Sequence, residues 1–243
     1  MNSPILIEKE CFQDAWLEAA NLLMDNHWDL WNLIIHIKHP ILMDKDFNNR
    51  VTAFAKEHGL ITPKGVAYTI FPHKTYKRVQ DAQILYNSYL KTIYPWTRTR
   101  AHKGWGTYFY RMINYKTDEG CINQLDNIIS AINNRVITSR AAYTIVIEKP
   151  GGETIKPLGA PCLNYIAVQL EPGEHRNRIG LLCVYRNHDF LERAYGNYWG
   201  LSNLLYFIAR ETDSEVGTLT CVSSHAYISK KKLALKSFVE DLI

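Results

Sequence analysis

Cys162 follows Pro161 at the start of one apolar run and Arg186 closes a second, so two strands would deliver a thiol and a guanidinium to one place. The thiolate is the nucleophilic form of cysteine, and a guanidinium beside it lowers its pKa. The same guanidinium grips a phosphate through two parallel hydrogen bonds, which a lysine cannot imitate. Downstream lie Asp189, Asn197, His225 and Tyr227, so most residues able to do chemistry fall between Gly159 and Tyr227. By residue type alone, Cys162, His225 and Asp189 also suffice for a Cys/His/Asp hydrolase, whose triad is recognised by geometry that a sequence does not display. A zinc deaminase is disfavoured, because Pro161-Cys162 is not continued by the second cysteine of a CxxC pair.

These residues need a scaffold. Glu10–Asp25 places Phe12, Ala15, Trp16, Ala19, Leu22 and Leu23 on one face at helical spacing. Asp29–Lys38 then alternates, with Trp31, Leu33, Ile35 and Ile37 on one side, as a strand does. Phe47–His58, with Gly59 behind it, reads as a short capped helix. Pro63–Arg78 is punctuated by prolines and Gly65 and reads as a basic loop carrying Lys74, Lys77 and Arg78, after which Val79–Lys91 returns to helical spacing. Ile122–Asn133 and Tyr198–Glu211 read as amphipathic helices, and Ala142–Ile147 and Gly217–Ser224 as strands. The expected fold is a single α/β (α+β) domain over residues 1–243, a mixed or antiparallel sheet flanked by helices, with Cys162 and Arg186 on adjacent strands.

Composition bounds the partners. With 47% hydrophobic and 21% charged residues, 243 positions can bury a sizeable core. The net charge of +4 is mild and Lys230-Lys231-Lys232 is its one block, which suits a small anion and does not imply a nucleic-acid polymer. Five cysteines without CxxC spacing predict neither a disulfide framework nor a metal site, and a reducing cytoplasm is the expected compartment. No apolar run approaches the ~20 residues of a membrane helix, and no basic-then-apolar leader opens the chain.

Pro161-Cys162, Arg186-Asn187-His188-Asp189, Asn197 and His225-Ala226-Tyr227, in that order, resemble the thymidylate synthase family, which includes the pyrimidine-nucleotide hydroxymethylases. That family carries a Pro-Cys nucleophile, an Arg-Ser-x-Asp stretch, an Asn or Asp beyond it, and a final His-x-Tyr. The resemblance runs from about Tyr108 to Tyr227. It implies a homodimer of thymidylate-synthase-like fold that transfers a methyl or hydroxymethyl unit to C5 of a pyrimidine nucleoside monophosphate, with 5,10-methylenetetrahydrofolate as cofactor. Uracil is electrophilic at C6, because its C4 carbonyl is conjugated with the C5=C6 bond, so Cys162 would add there.

The resemblance also distributes roles. Tyr108 stands near the nucleotide, Arg186 and Asn187 belong to its binding site, and His225 and Tyr227 hold the sugar hydroxyl. Asp189 contacts the pterin ring, and Ile93-Tyr94-Pro95-Trp96 matches an aromatic segment that stacks on folate, through Trp96. Thr138-Ser139-Arg140-Ala141 resembles an Asp-Ser-Arg-Arg stretch whose arginines reach across the dimer to the partner's phosphate; Arg140 is kept and the second arginine is Ala141. Arg50, Lys74, Lys77 and Arg78 are candidates for a further phosphate cation. In the family Asn goes with uracil and Asp with cytosine, since an amide accepts from N3–H and donates to O4. Asn197 therefore predicts dUMP or UMP, with dCMP or CMP as the alternative.

Departures accompany the matches. Leu163 replaces the histidine after the cysteine, Asn187 replaces the serine, and Phe109 replaces the glycine after Tyr108. The family's catalytic Glu has no counterpart unless Asp81, the one acid between Glu57 and Asp118, is its shorter substitute. Lys236–Ile243 lacks the family's closing tail, and Cys162-x-Asn164 resembles the hydroxymethylase branch, so water completing the reaction is as compatible as hydride. A nucleotide-binding protein of the same fold that has lost catalysis is the remaining class.

Overall fold

The computed structural model describes residues 3–98, 105–134, 142–149, 151, 153, 155, 156 and 159–242. In chain order they form β1 (Ile5–Lys9), α1 (Phe12–Asp25), β2 (Asp29–Ile37), α2 (Lys45–Glu57), α3 (Pro63–Ile70), α4 (His73–Val79), α5 (Ala82–Ser88), a π-helical turn (Tyr89–Ile93) and α6 (Tyr94–Arg98). There follow α7 (Tyr108–Ile113), a small hairpin of β3 (Tyr115–Thr117) and β4 (Gly120–Ile122), α8 (Gln124–Asn133), β5 (Ala142–Val146), β6 (Leu163–Glu171), β7 (Arg178–Tyr185) and β8 (His188–Asp189). A second π-helical turn (Phe190–Ala194), α9 (Tyr195–Glu211), β9 (Glu215–Tyr227) and α10 (Lys232–Glu240) complete them.

The main sheet is mixed, with strand order β1-β2-β9-β7-β6-β5 and β8 attached to β9. β1 runs parallel to β2 and β7 parallel to β9, whereas β2–β9, β7–β6 and β6–β5 are antiparallel. α1 packs on β1 and β2, α9 packs on β7 and β9, and the two helices touch each other. α9 buries Tyr198, Leu201, Leu204, Leu205, Phe207 and Ile208, so it is apolar nearly all round and forms the centre of the core. Glycines let it come close to α3. A Cβ on Gly196 would lie 2.5 Å from Val66 Cβ, and one on Gly200 would lie 2.8 Å from the Ala67 carbonyl oxygen.

Several expected boundaries move, each for a local reason. Pro63–Arg78 is two helices, α3 and α4, and not a loop: the Thr62 hydroxyl accepts from the Gly65 N–H, and Pro63 occupies the first turn, where no amide is needed. Val79–Lys91 is not one helix, because Gln80 takes a left-handed conformation (φ 50°) that ends α4, and Asp81 then caps α5. The helix expected from Glu10 starts at Phe12, and the one expected from Ile122 starts at Gln124 behind an Asn123 cap, with Ile122 in β4. α9 starts earlier than Tyr198 and β9 outruns Gly217–Ser224 at both ends. Among the described residues no helix is long and apolar enough to cross a membrane, and no cluster of three or more His, Cys, Asp or Glu is arranged to hold a metal ion.

Candidate active site

Strand pairing assembles the site at one end of the sheet. Leu163 opens β6 opposite Tyr185, the last residue of β7. One step further out, the Arg186 N–H donates to the Cys162 carbonyl (3.0 Å) and to Asn164 Oδ1 (3.1 Å). The short β8 pairs with the end of β9, setting His188 opposite Ala226 and Asp189 opposite Tyr227. Thiol, guanidinium, carboxyl and phenol therefore arrive from the ends of four strands.

A cavity of about 350 Å³ opens there. Cys162, Asn187, His188, Asp189 and Tyr227 line it from the strand ends, Glu192 and Arg193 from the π-helical turn, and Asn197 from the first turn of α9. Tyr108, Trp105, Val66 and Thr69 close the other side. The bidentate pair of buried Arg111 with Glu153 (2.7 and 2.6 Å) braces this wall, because the Arg111 Nε also donates to the Trp105 carbonyl at 2.8 Å. A larger cavity of about 730 Å³ lies against Trp199, Tyr206 and Arg210 and takes in Lys77, but it contains no cysteine.

Of the site residues expected from sequence, Cys162, Tyr108, Asn187, Asp189, Asn197 and Tyr227 line the smaller cavity. Arg186 touches Cys162 through the backbone, and its side-chain Nε is buried without a partner. His225 stands one layer back: Nδ1 lies 3.1 Å from Asn187 Oδ1 and Nε2 lies 2.7 Å from Asp29 Oδ2. With both ring nitrogens so engaged, His225 is not placed as the base of a Cys/His/Asp triad. Asp81 is exposed, and its carboxylate accepts from the Ile84 N–H at 2.7 Å as a helix cap, away from the cavity. Trp96 is 67% exposed and borders a separate hollow that meets the cavity wall at Thr69. Arg50 donates to the Asp241 carbonyl, and neither it nor Lys74, Lys77 or Arg78 lines the smaller cavity. Arg140 and Ala141 lie outside the described residues.

Burial sets the electrostatics. The Cys162 thiol is pushed above its ordinary value by burial, against the opposing pull of Arg186 and then Arg193. The expected lowering by Arg186 is thus real as a contribution but outweighed. Burial also raises Asp189, although its Oδ1 accepts from the Leu191 and Glu192 N–H groups at 3.0 and 2.9 Å. Tyr108 and Tyr227 are raised too, burial first in each case, so both stand as neutral phenols.

Three titratable wall residues escaped sequence reasoning. His188 occupies the variable position of the Arg-x-x-Asp stretch, where residue type carries no signal. Glu192 and Arg193 face the cavity because a π-helical turn follows Asp189, and no periodicity announces such a turn. Arg193 adds a second cation near the thiol, while Glu192 pairs with Lys230 at 2.6 Å.

No family model matches the chain. A protein of Methanococcoides burtonii is 24% identical over 223 residues, 92% of this chain and 88% of that protein. A protein of Methanosarcina barkeri is 29% identical over 122 residues, 50% of this chain and 52% of that protein. One of Methanosarcina mazei is 26% identical over 122 residues, covering 50% and 52%. All three carry the name "Putative thymidylate synthase". The chain spans about half the length of the Methanosarcina relatives that it matches.

Proposed function

We propose that the cavity binds a uracil nucleoside monophosphate, dUMP or UMP, and that Cys162 adds to C6 of its base so that C5 can accept a one-carbon unit. The observation that carries this reading is the convergence of Cys162, Asp189, Asn197 and Tyr227, from separate elements, on one cavity of about 350 Å³. That volume lies within the range of small-molecule sites, ~300–1,000 Å³. Similarity to relatives named for thymidylate synthase supports the same class of transferase.

As Sγ bonds to C6, the C5=C6 electron pair moves toward the C4 carbonyl and the thiol proton leaves; C5 becomes an enolate-type nucleophile. Loss of the C5 hydrogen as a proton, with expulsion of Sγ, restores the double bond. Arg193 in the cavity wall supplies a cation for the phosphate, Arg186, which adjoins Cys162 behind that wall with its Nε buried and unpartnered, supplies a second, and Tyr227 supplies a hydroxyl to the sugar. Asn197 Oδ1, buried without a protein partner, accepts from uracil N3–H. Tyr108, a phenol held neutral beside Cys162, can pass a proton at the thiol.

The donor set fits 5,10-methylenetetrahydrofolate at one point: Asp189 offers a pterin ring a buried carboxyl in the same wall as Cys162. When bound, that group supplies the one-carbon unit. Trp96, in its separate hollow, offers no stack in this wall.

The homodimer belongs to the same reading. Leu6, Ile34, Val222, Val184, Tyr165 and Val146 are consecutive partners along the path β1-β2-β9-β7-β6-β5, on the sheet face turned away from the core. None is buried, and Leu6 and Val146 are 64% and 38% exposed, which leaves an apolar row for a second copy to cover.

Tritium release from 5-tritiated dUMP, UMP, dCMP and CMP, with and without methylenetetrahydrofolate, tests the function. Folate-dependent release from a uracil nucleotide is expected, and preferential release from a cytosine nucleotide contradicts the substrate assignment. A second reading, a nucleotide-binding protein without turnover, is favoured by the burial of Cys162, which pushes its thiol up and away from the reactive thiolate. Retained binding with no release from any nucleotide selects it.

A further inference from the structure

His188 takes no part in the chemistry above, yet it is the most constrained ring in the cavity wall. It is 1% exposed, stacked flat on Tyr185 (4.0 Å between ring centres, 2° between planes) and met edge-on by Phe190 and Tyr198. Both ring nitrogens are engaged: Nδ1 lies 2.9 Å from Ser223 Oγ, and Nε2 lies 3.1 Å from Asn197 Nδ2.

A neutral imidazole has one N–H and one bare nitrogen. Asn197 Nδ2 is a donor, so the nitrogen that it meets is the bare one. The proton then sits on Nδ1 and is donated to Ser223 Oγ. This locks the amide with Oδ1 away from the ring, and Oδ1 is the atom left buried and unpartnered in a residue that lines the cavity. The reversed chain is equally self-consistent in hydrogen bonds: Ser223 donates to Nδ1, Nε2–H donates to Oδ1, and the NH₂ is left for a ligand. The first chain presents an acceptor to the ligand and the second a donor. At N3, uracil carries a hydrogen and cytosine a lone pair.

We propose that His188, held between Ser223 and Asn197, is a positioning residue that fixes the orientation of the Asn197 amide and thereby the preference for a uracil over a cytosine edge. The inference rests on the pyrimidine-nucleotide reading above. Burial supports it by pushing the imidazole pKa down to about 3, so the ring keeps its bare nitrogen at neutral pH.

Two measurements test it, and the first does not depend on that reading. Long-range ¹H–¹⁵N NMR of the free protein reads the tautomer without any ligand. Nδ1–H is expected for His188, and Nε2–H overturns the inference alone. Dissociation constants for dUMP and dCMP are then compared in wild type, His188→Phe and Ser223→Ala, each also in an Asn197→Ala background. Ser223→Ala covers the case in which His188→Phe does not fold. The dUMP preference should fall at least about tenfold in either variant, since a site built on hydrogen bonds discriminates through them. In the Asn197→Ala background neither change should shift it. An unchanged ratio in a folded variant, or a wild type that prefers dCMP, overturns the positioning role. A wild type that binds neither nucleotide overturns the pyrimidine reading and the specificity role with it.

Discussion

The Arg186 N–H and the Cys162 carbonyl are hydrogen-bonded at 3.0 Å, one step beyond the rung where Leu163 faces Tyr185. Nucleophile and cation are therefore positioned by the backbone of a β-hairpin, independently of each other's side chains. Replacing the guanidinium should leave the thiol in place while removing the proposed phosphate ligand. Arg186→Ala should weaken dUMP binding about ten- to over a hundred-fold, the equivalent of about 1.5–3 kcal/mol for a hydrogen bond to a charged group. Arg186→Lys should recover only part, because an ammonium lacks the bidentate fork. Calorimetric titration checks both, and unchanged affinity in Arg186→Ala removes Arg186 from the phosphate site.

Alkylation reports the thiol directly. Burial raises Cys162, so its inactivation by iodoacetamide should rise with pH to an inflection above the ordinary thiol value of 9.0. Removing an opposing cation, in Arg186→Met or Arg193→Met, should move the inflection higher still. The sign for stability is the same: the unfolded thiol ionises first, so this contribution is complete below pH 9.0 and is lost as pH rises through the folded value. An inflection below 9.0 would show that the cations outweigh burial.

Part of the cavity's lining was legible in the sequence, for a physical reason. Cys162, Asp189 and Tyr227 sit at the ends of paired strands, which meet in space, whereas Asn197 reaches the same cavity from the first turn of α9. Asp81 and Trp96 did not join them. A lone acid ahead of a helical run is as good a cap as a catalyst, and an aromatic near a helix carries no mark of which hollow it borders. Arg193 and His188 were illegible for another reason, since no periodicity announces a π-helical turn and the His188 ring is held by Ser223, distant in sequence.

His188 should make the fold acid-sensitive. Its pKa drops from 6.5 to about 3 on burial, so on acidification the unfolded chain takes up a proton that the folded protein refuses. This contribution is complete above pH 6.5 and is lost as pH falls toward 3; at about 1.4 kcal/mol per unit it amounts to several kcal/mol. Urea unfolding midpoints between these limits should fall less steeply in His188→Phe than in wild type. Parallel slopes would show that His188 ionises normally.

The close contact of α3 and α9 predicts a second kind of sensitivity. In Gly196→Ala the new Cβ would meet Val66 Cβ at 2.5 Å and the Pro63 carbonyl oxygen at 2.7 Å. Forced apart, the helices should lose about 1–3 kcal/mol of stability. Val66 lines the cavity, so dUMP affinity should fall together with the thermal midpoint. A variant as stable as wild type would mean that the helices separate without cost.

The central claim is the Cys162–C6 bond, and the most direct test is tritium release from 5-tritiated dUMP by wild type and Cys162→Ala, with dUMP affinity measured on the same preparations. Release should vanish in Cys162→Ala while affinity stays within a few-fold, because on this account the phosphate does most of the holding. Release at the wild-type rate from Cys162→Ala would contradict the account.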